Sequence, residues 1–508
     1  MLRILRTGIA LACFIGLCLL FLDVSGWLPP HLAFLAKLQI VPALLTGSVA
    51  TVAGLLVFTL LFGRAYCSTL CPLGVMQDCI ARLNRNRPYR FSPGMNRLRF
   101  AMLGVFVFAF VSGVSLVFNL LEPYSAFGRI AANLMAPVWT AGSNGMALAA
   151  QHMDSFAVGF TPVWQKGLAA LVAALATLAL LGVLAWRNGR TWCNTLCPVG
   201  ALLGQVHRLA VLRPRIDAEK CIGCGACERI CKAGCISAKH STMDDSRCVS
   251  CFNCLNVCRK DAIGYRPFSG SRGAGARPLD PSGSEGSRGA SLSWEKGGND
   301  SVNAGRRALF SAALASAGIV ALPERAFPAG REKSVPALTR RKPPLREEPV
   351  IPPGSSGLRA YTTRCTGCQL CVSACPNQVL RPSDTGMGIL QPVMSFERGY
   401  CRVNCVTCST VCPSGAIRPI TVEQKSAIQI GRARIRPELC IVTTDEVPCN
   451  SCSRNCPTDA ITMVGNEGHK RPAVDAEKCI GCGACEYVCP ARPLAAIQVE
   501  GNLEHRRI

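Results

Sequence analysis

Long apolar runs, each bordered by polar or basic residues, fill the first part of the chain. Four runs reach about 20 residues, the length that a helix needs to cross a bilayer. They cover roughly residues 8–28, 41–62, 100–121 and 167–186. The pattern predicts an α-helical membrane bundle of four spans, which we expect to occupy residues 1–215 as the first domain.

Basic residues are distributed unevenly around these runs. Arginines precede the first run, separate the second from the third and follow the fourth, whereas the connections 23–40 and 122–166 are nearly free of them. By the positive-inside rule we expect both ends of the bundle in the cytoplasm, with the lipid bilayer as a partner. The net charge of +24 is therefore read as membrane topology and does not predict a nucleic-acid partner.

The number and spacing of the cysteines are the most informative feature of the sequence. Of the 32 cysteines, 24 fall into six groups of four with spacing close to C-x2-C-x2-C-x3-C. This spacing is typical of iron–sulfur ligands, whereas zinc sites usually combine cysteine pairs from separate loops, and a disulfide framework does not require it. We therefore expect about six [4Fe-4S] clusters, with these cysteines as the metal ligands.

Two of the groups predict a ferredoxin domain at residues 216–266. They are Cys221, Cys224, Cys227 and Cys231, followed by Cys248, Cys251, Cys254 and Cys258. In two-cluster ferredoxins the fourth cysteine of each group binds the other cluster, so Cys231 and Cys258 are expected to exchange clusters. Lys232 and Arg259 stand where such motifs usually have proline, which leaves ligation intact but alters the local charge.

The other four groups predict a polyferredoxin domain at residues 358–508, a small α+β unit of short strands and turns. Its expected ligands are Cys365, Cys368, Cys371, Cys375, Cys401, Cys405, Cys408, Cys412, Cys440, Cys449, Cys452, Cys456, Cys479, Cys482, Cys485 and Cys489. Either consecutive groups exchange their fourth cysteines, or the outer groups pair with each other and the inner groups do the same. The sequence leaves this choice open.

A different cysteine motif occurs twice where apolar runs end. Cys67 and Cys71, and then Cys193 and Cys197, each lie in an aromatic–C-x3-C-P-x-G motif. The near identity of the two copies indicates an internal repeat. Together they could supply four ligands to one metal centre or hold two redox-active thiol pairs, and a repeated turn with inert thiols is the third interpretation.

A region poor in aliphatic residues separates the two halves of the chain. Residues 267–303 are rich in Gly, Ser, Arg and Pro and predict a disordered linker, and residues 331–357 predict a second linker. Between them, residues 304–330 carry Arg306 and Arg307 before a short apolar run, which resembles a twin-arginine export signal. A possible fifth span or a short cytoplasmic helix are the alternatives.

The combined motifs resemble a known protein family. Residues 1–265, with both C-x3-C-P motifs and the double ferredoxin motif, are similar to the membrane proteins NapH and MauN. From Arg306 onward the chain is similar to NapG and MauM, the ferredoxin-type proteins that accompany NapH and MauN, and NapH belongs to periplasmic nitrate reductase systems. The resemblance implies a fusion of both subunit types in the inner (cytoplasmic) membrane, multi-pass, with residues 216–266 cytoplasmic and residues 331–508 periplasmic.

The expected function is membrane-bound electron transfer. We expect quinol from the membrane quinone pool to be oxidised, as by a quinol dehydrogenase, and electrons to pass to a periplasmic c-type cytochrome or reductase. A redox maturation or regulatory role for a metalloenzyme and a cytoplasmic donor-to-quinone relay are the alternatives. No catalytic residue is assigned, because Asp23, Glu122 and His152 near the outer boundary are typical of ordinary loops.

Overall fold

The computed structural model describes residues 1–23, 28–84, 88–154, 159–267, 341–384, 386, 388–465 and 470–508. It combines short helices with a few two-stranded antiparallel sheets. The predicted linker 267–303 (apart from residue 267), the twin-arginine segment 304–330 with its possible fifth span, and residues 331–340 lie outside the described residues.

The first domain is a bundle of helices. In chain order the described helices are α1 (Leu2–Leu22), α2 (Leu28–Lys37), α3 (Ile40–Thr46), α4 (Val49–Phe62), α5 (Tyr66–Thr69), α6 (Pro72–Leu83), α7 (Asn96–Ser112), α8 (Ser115–Leu121), α9 (Pro123–Ile130), α10 (Ala136–His152), α11 (Leu168–Asn188), α12 (Thr191–Thr195) and α13 (Pro198–Arg208), with a π-helical turn at Ala131–Met135.

The prediction of four full-length spanning helices in the first domain is wrong. Among the described residues, two helices are long and apolar enough to cross a membrane, namely α1 and α11, each of 21 residues. The second predicted span is divided into α3 and α4 at Gly47, and the third into α7 and α8 at Gly113. Both glycines have left-handed backbones, with φ of 72° and 73°, which ends the helical hydrogen-bond ladder.

The outer faces of α1 and α11 are apolar and largely uncovered by protein. In each helix only 28% of the most apolar 18-residue window is buried. On α11 the exposed side chains include Val172, Leu180 and Val183. A continuous exposed apolar face marks a membrane or protein contact.

Residues 212–267 form a small ferredoxin unit. Strands β1 (Leu212–Ile216) and β4 (Ile263–Pro267) pair antiparallel, with Pro214 opposite Tyr265. They enclose helix α14 (Ala226–Ile230), the hairpin of β2 (Ile236–Ser237) and β3 (Thr242–Met243), and a 3₁₀ turn at Asp245–Arg247. The unit therefore begins at the first residue of β1, just before the predicted boundary at residue 216.

The tail, residues 341–508, forms a second and larger unit. Its helices are α15 (Leu358–Arg364), α16 (Leu370–Ser373), α17 (Thr407–Val411), α18 (Val422–Ser426), α19 (Ile441–Thr444), α20 (Ser451–Arg454) and α21 (Ala484–Val488). Three strand pairs hold them together: β5 (Leu380–Pro382) with β6 (Pro392–Met394), β8 (Ile461–Val464) with β9 (Arg471–Val474), and β7 (Ile428–Ile435) with β10 (Ile497–Arg507).

The segment before α15 belongs to the tail core. Val350 and Ile351 are fully buried. Arg346 donates to the Val499 carbonyl at 2.7 Å and pairs with Glu486 at 2.6 Å. The predicted boundary at residue 358 therefore falls inside a packed unit, because two aliphatic residues and one arginine anchor a stretch whose composition resembles a linker.

The two iron–sulfur units lie at opposite ends of α11. At its start, Asp384 of the tail accepts from the Ala169 amide at 3.0 Å. Just after its end, the Arg190 amide donates to the Lys232 carbonyl of the ferredoxin unit at 2.8 Å. A helix of this length extends about 30 Å at 1.5 Å per residue, so the units are separated by about the thickness of a bilayer core.

The tail is seated closely on the bundle. Asn133 donates to the side chain of Gln369 at 2.7 Å, and both residues are buried. At Gly128 the packing is closer still, since a Cβ placed there would lie 2.3 Å from the Cys368 carbonyl oxygen. The tail contact therefore requires a residue without a side chain at this position of α9.

Replacing Gly128 by valine is expected to loosen this contact. Overpacking of a tight site typically costs about 1–3 kcal/mol. Gly142→Val is the matched control, since nothing lies within 4 Å of a Cβ at that helical glycine. Hydrogen exchange of residues 365–371 in the purified chain should become faster in Gly128→Val only; equal exchange in both variants would contradict the docked arrangement.

Candidate metal centres

The ferredoxin unit brings its second cysteine group together as expected for crossed ligation. Cys254 lies within electrostatic reach of Cys248, Cys251 and Cys231. All four thiols line one cavity of the unit. The fourth cysteine of the first group thus faces the second group, which is the arrangement of two-cluster ferredoxins.

The first cysteine group occupies the more exposed side of the same unit. Cys227 lies near Cys221 and Cys224. Cys258, at the other end of the motif pair, accepts a hydrogen bond from the Ala262 amide at 3.3 Å. Cys224 is exposed and Cys221 is half-buried, so this group is closer to solvent than its neighbour.

Cys235 was missed by the motif analysis and lies beside the second group. Its Sγ is 3.5 Å from Cys231 Sγ, and it is buried in the cavity that the ligands line. A hydrogen bond from the Cys235 thiol lowers the pKa of Cys231 to about 6. The only feature of the sequence that points to this hydrogen bond is the presence of a cysteine four residues after Cys231.

The structure explains why lysine follows Cys231. Lys232 Nζ lies 3.3 Å from Asp78 of α6, and the same carboxylate also pairs with Arg190 at 2.9 Å and Arg6 at 3.6 Å. The lysine thus anchors the ferredoxin unit to the bundle through a shared buried carboxylate. Asp78 lies on an otherwise apolar face of α6, and this feature of the sequence could have indicated that it pairs with a buried cation.

In the tail, consecutive groups exchange their fourth cysteines. Cys371 lies near Cys365, Cys368 and Cys412, and Cys408 lies near Cys401, Cys405 and Cys375. Similarly, Cys452 lies near Cys449 and Cys489, and Cys482 lies near Cys479 and Cys456. Of the two pairings that the sequence allows, the structure has the consecutive one.

The four tail sets follow one another in space. The set of Cys365, Cys368, Cys371 and Cys412 lies against the bundle through Cys368 and Gly128. The second set reaches the last set where the Cys401 amide donates to the Cys482 carbonyl at 3.0 Å. The set of Cys440, Cys449, Cys452 and Cys489 lines a separate cavity next to exposed residues 444–448.

The tail thiols are chemically suited to metal ligation and poorly suited to be free thiolates. Burial raises the pKa of Cys365 and of Cys482 to about 12. Such thiols stay protonated at neutral pH unless a cation takes the place of the proton, as a coordinating metal does. The donor set and its spacing therefore fit iron–sulfur clusters.

The C-x3-C-P motifs lie inside the bundle. Cys67 and Cys193 are in the short helices α5 and α12, whereas Cys71 and Cys197 have extended backbones and begin α6 and α13. A residue before proline avoids the helical region, so Pro72 and Pro198 impose this break. The four cysteines are buried and near one another across the two copies.

The polar residues near the outer boundary have structural partners. Glu122 is buried and caps α9, accepting from the Tyr124 amide at 3.0 Å and from the Ser125 amide. Asp23 accepts from the Leu28 amide at 2.9 Å, and His152 is the exposed last residue of α10. The sequence indicated ordinary loop residues, whereas the structure places each of the three at the end of a helix.

Comparison with known proteins matches iron–sulfur models to parts of the bundle, of the ferredoxin unit and of the tail. Residues 44–90 and 167–217 match a model described as a 4Fe-4S binding domain, and residues 212–233 match another of the same description. Residues 364–416 and 447–492 match a 4Fe-4S dicluster domain. Each dicluster match contains two consecutive tail groups or most of them, as the consecutive pairing requires.

Several curated proteins are similar to parts of the chain. The methylamine utilization ferredoxin-type protein MauM of Methylophilus methylotrophus is 32% identical over 161 residues, which are 29% of this chain and 69% of that protein. The ferredoxin-type protein NapG of Escherichia coli is 30% identical over 150 residues, which are 27% of this chain and 64% of that protein.

A putative electron transport protein of Escherichia coli, YccM, is 25% identical over 221 residues, which are 41% of this chain and 53% of that protein. No solved structure matches the chain. Since its similarity to MauM extends over 69% of that protein at 32% identity, the chain belongs to the MauM family of ferredoxin-type proteins.

Proposed function

We propose that this chain is a membrane-bound iron–sulfur electron-transfer protein that oxidises quinol and passes the electrons to a redox protein on the outer face. The observation that carries the proposal is the position of two cysteine-rich units at opposite ends of α11, a helix long and apolar enough to cross a membrane. Such a placement connects the two faces of a bilayer through one polypeptide.

The cofactors in this proposal are six [4Fe-4S] clusters. Cys221, Cys224, Cys227 and Cys258 hold the first, and Cys248, Cys251, Cys254 and Cys231 hold the second. The tail holds one cluster in each of the four sets that the structure groups together. Bound clusters change oxidation state by single electrons, and the protein supplies the ligands, the spacing and the exclusion of solvent.

The membrane location rests on two features. The first is the exposed apolar surface of α1 and α11. The second is the positive charge at one end of these helices. Arg6 lies near the start of α1 and Arg190 follows the end of α11, and both pair with Asp78 beside the ferredoxin unit. Under the positive-inside rule this end is cytoplasmic, and the tail is then periplasmic. A fusion of NapH-like and NapG-like parts would have this order.

Electrons leave the bundle most directly through the tail set that touches it. A group of buried polar side chains borders that contact: Asn119, Tyr124 and Arg129 each have side-chain atoms without a hydrogen-bond partner. Tyr124 and Arg129 both lie within electrostatic reach of Cys368. We place the hydroxyl groups of the bound quinol here, since they need hydrogen-bond partners next to the first electron acceptor.

Electron exit is placed at the other end of the tail series. Cys440, Cys449 and Cys452 are half-buried, and residues 444–448 beside them are exposed. The exposed segment leaves this set open to a c-type cytochrome or a reductase. MauM and NapG are named as ferredoxin-type proteins, which supports an electron-transfer partner without specifying which one.

Paired cysteine removals test the ligand sets. Cys368→Ala/Cys412→Ala should lose about four iron atoms, because both residues serve one cluster, whereas Cys368→Ala/Cys375→Ala should lose about eight. Cys368→Ala/Cys489→Ala is the control for the other pairing and should also lose about eight. A loss of one cluster in the control, with two lost in the first variant, would contradict consecutive pairing.

Sidedness can be measured directly in right-side-out membrane vesicles. We expect protease added outside to cut the tail, including the end at Ile508, while residues 216–266 stay protected until the vesicles are opened. A protected tail would contradict delivery to an outer-face acceptor and would favour the cytoplasmic donor-to-quinone relay.

Quinol chemistry is tested with the Tyr124→Phe variant, which removes one buried hydroxyl. We expect slower reduction of the clusters by a water-soluble quinol under anaerobic conditions, with unchanged reduction by dithionite. Tyr265→Phe, in the ferredoxin unit, is the control. If the unmodified holoprotein is not reduced by quinol at all, the maturation or regulatory alternative is favoured over quinol oxidation.

A further inference from the structure

The C-x3-C-P cysteines form a closed group in the middle of the bundle. Cys67, Cys71, Cys193 and Cys197 are between 4% and 6% exposed. Cys197 lies within electrostatic reach of the three others. The thiols come from both copies of the repeat, so the group exists only because the copies pack against each other.

The two copies are joined by a reciprocal pair of arginine contacts. Arg64, three residues before Cys67, donates to the Cys193 carbonyl at 3.3 Å. Arg190, three residues before Cys193, donates to the Cys67 carbonyl at 2.6 Å. Each copy thus fixes the backbone of the other, which gives the thiol group an approximate two-fold symmetry.

Gly74 and Gly200 occupy equivalent places in this arrangement. A Cβ at Gly74 would lie 2.3 Å from the Cys67 carbonyl oxygen, and one at Gly200 would lie 2.1 Å from the Cys193 carbonyl oxygen. The glycine of each C-P-x-G motif is therefore required by the close approach of two helices that carry the thiols.

Three of the four sulfurs of the group receive an N–H donor. Arg64 Nη2 lies 3.9 Å from Cys67 Sγ, and Gln77 Nε2 lies 3.1 Å from Cys193 Sγ. The Gly200 amide donates to Cys197 Sγ at 3.3 Å, and Gly74 holds the equivalent position beside Cys71. Backbone and side-chain donors around sulfur are the usual environment of cluster thiolates, whose potentials they tune.

The charge around the group favours an anionic occupant. Arg6, Arg64, Arg190 and Lys232 are buried here, and Asp78 is the one carboxylate that pairs with any of them among the described residues. The buried Arg64 Nε and Arg190 Nη2 have no hydrogen-bond partner. Since unpaired buried charge is costly, this excess of cations calls for a compensating negative group.

We propose that Cys67, Cys71, Cys193 and Cys197 together hold one further iron–sulfur cluster, shared between the two copies of the repeat. Both copies lie in segments that match a 4Fe-4S binding domain, but each copy supplies two cysteines, and four are needed.

The position of this cluster links the two cysteine-rich units. Asn194 of the second copy donates to the Ala233 carbonyl, two residues after Cys231, at 3.3 Å. On the other side, Tyr66 lies within electrostatic reach of both Cys71 and Glu122, next to the tail contact. One electron at a time would enter from the reduced neighbour and leave to the oxidised one, with iron alternating between ferric and ferrous. This relay role rests on the proposed function, whereas the cluster itself does not.

The test measures metal content and is independent of quinol oxidation. Holoprotein purified without oxygen is compared with Cys67→Ser/Cys193→Ser, and Cys13→Ser/Cys18→Ser in α1 is the control. The cysteine pair variant should lose about two iron and two sulfide for a [2Fe-2S] cluster, or about four of each for a [4Fe-4S] cluster, together with one component of the electron paramagnetic resonance spectrum. The control should lose none.

A second variant keeps all four thiols in case serine prevents folding. Gln77→Met removes the N–H donor to Cys193 at similar volume, so one reduction potential should become more negative while the iron content is unchanged. Unchanged iron, sulfide and spectra in the serine variant, or unchanged potentials throughout in Gln77→Met, would overturn the shared cluster. Either result would leave the proposed quinol function to be judged by its own experiments.

Discussion

The buried carboxylate of Asp78 is the contact on which the arrangement of the first half depends. Three cations from three separate parts of the chain converge on it: Arg6 from α1, Arg190 from the second C-x3-C-P motif and Lys232 from the ferredoxin unit. Breaking a buried ion pair by removing one partner typically costs about 3–5 kcal/mol, because the remaining charges stay desolvated. A carboxylate with three cationic partners therefore fixes the bundle and the ferredoxin unit in one relative position.

That constraint explains the departure from the usual ferredoxin pattern. Proline after the fourth cysteine would rigidify the turn but could not form an ion pair. Lysine at this position gives the turn a charged anchor, and the adjoining Arg190 amide holds the Lys232 carbonyl. Cys231, a ligand of the second cluster site, is the residue next to this anchor, so the site is held against the bundle. A mobile carrier domain would not need such an anchor.

The tail uses a different means of attachment at the other end. It packs on α9 through a glycine contact, a buried amide pair and continuous apolar core, with Phe21 and Phe127 on the bundle side. The tail core itself is small, and short strands replace a large sheet. Metal ligation then contributes to folding, since sixteen cysteines form four sets that bring distant parts of the sequence together. Rigid attachment at both ends suits electron transfer, because the separation between centres is then fixed.

The sequence by itself determined the chemistry. Cysteine spacing identified the expected cluster ligands, the repeat of C-x3-C-P identified a second kind of site, and the apolar runs identified a helical first domain. Crossed ligation by Cys231 was also predictable, since it follows from local motif geometry. The continuity of the helices was not predictable. A run of apolar residues indicates burial in an apolar medium but not where a helix ends, and Gly47 and Gly113 adopt left-handed backbones that interrupt the helices.

Only the tertiary structure decided which groups meet. Consecutive and outer pairing of the tail motifs use the same ligands, so no local feature distinguishes them, and only the folded tail shows which groups lie together. Two further features are contacts between residues far apart in sequence: the cations that converge on Asp78, and the four thiols that the two repeats bring together. The position of Cys235 beside Cys231 also depends on the fold of the ferredoxin unit. The physical reason is the same in each case: spacing along the chain specifies which residues can bind a metal, but the packing of whole elements specifies which of them share one site.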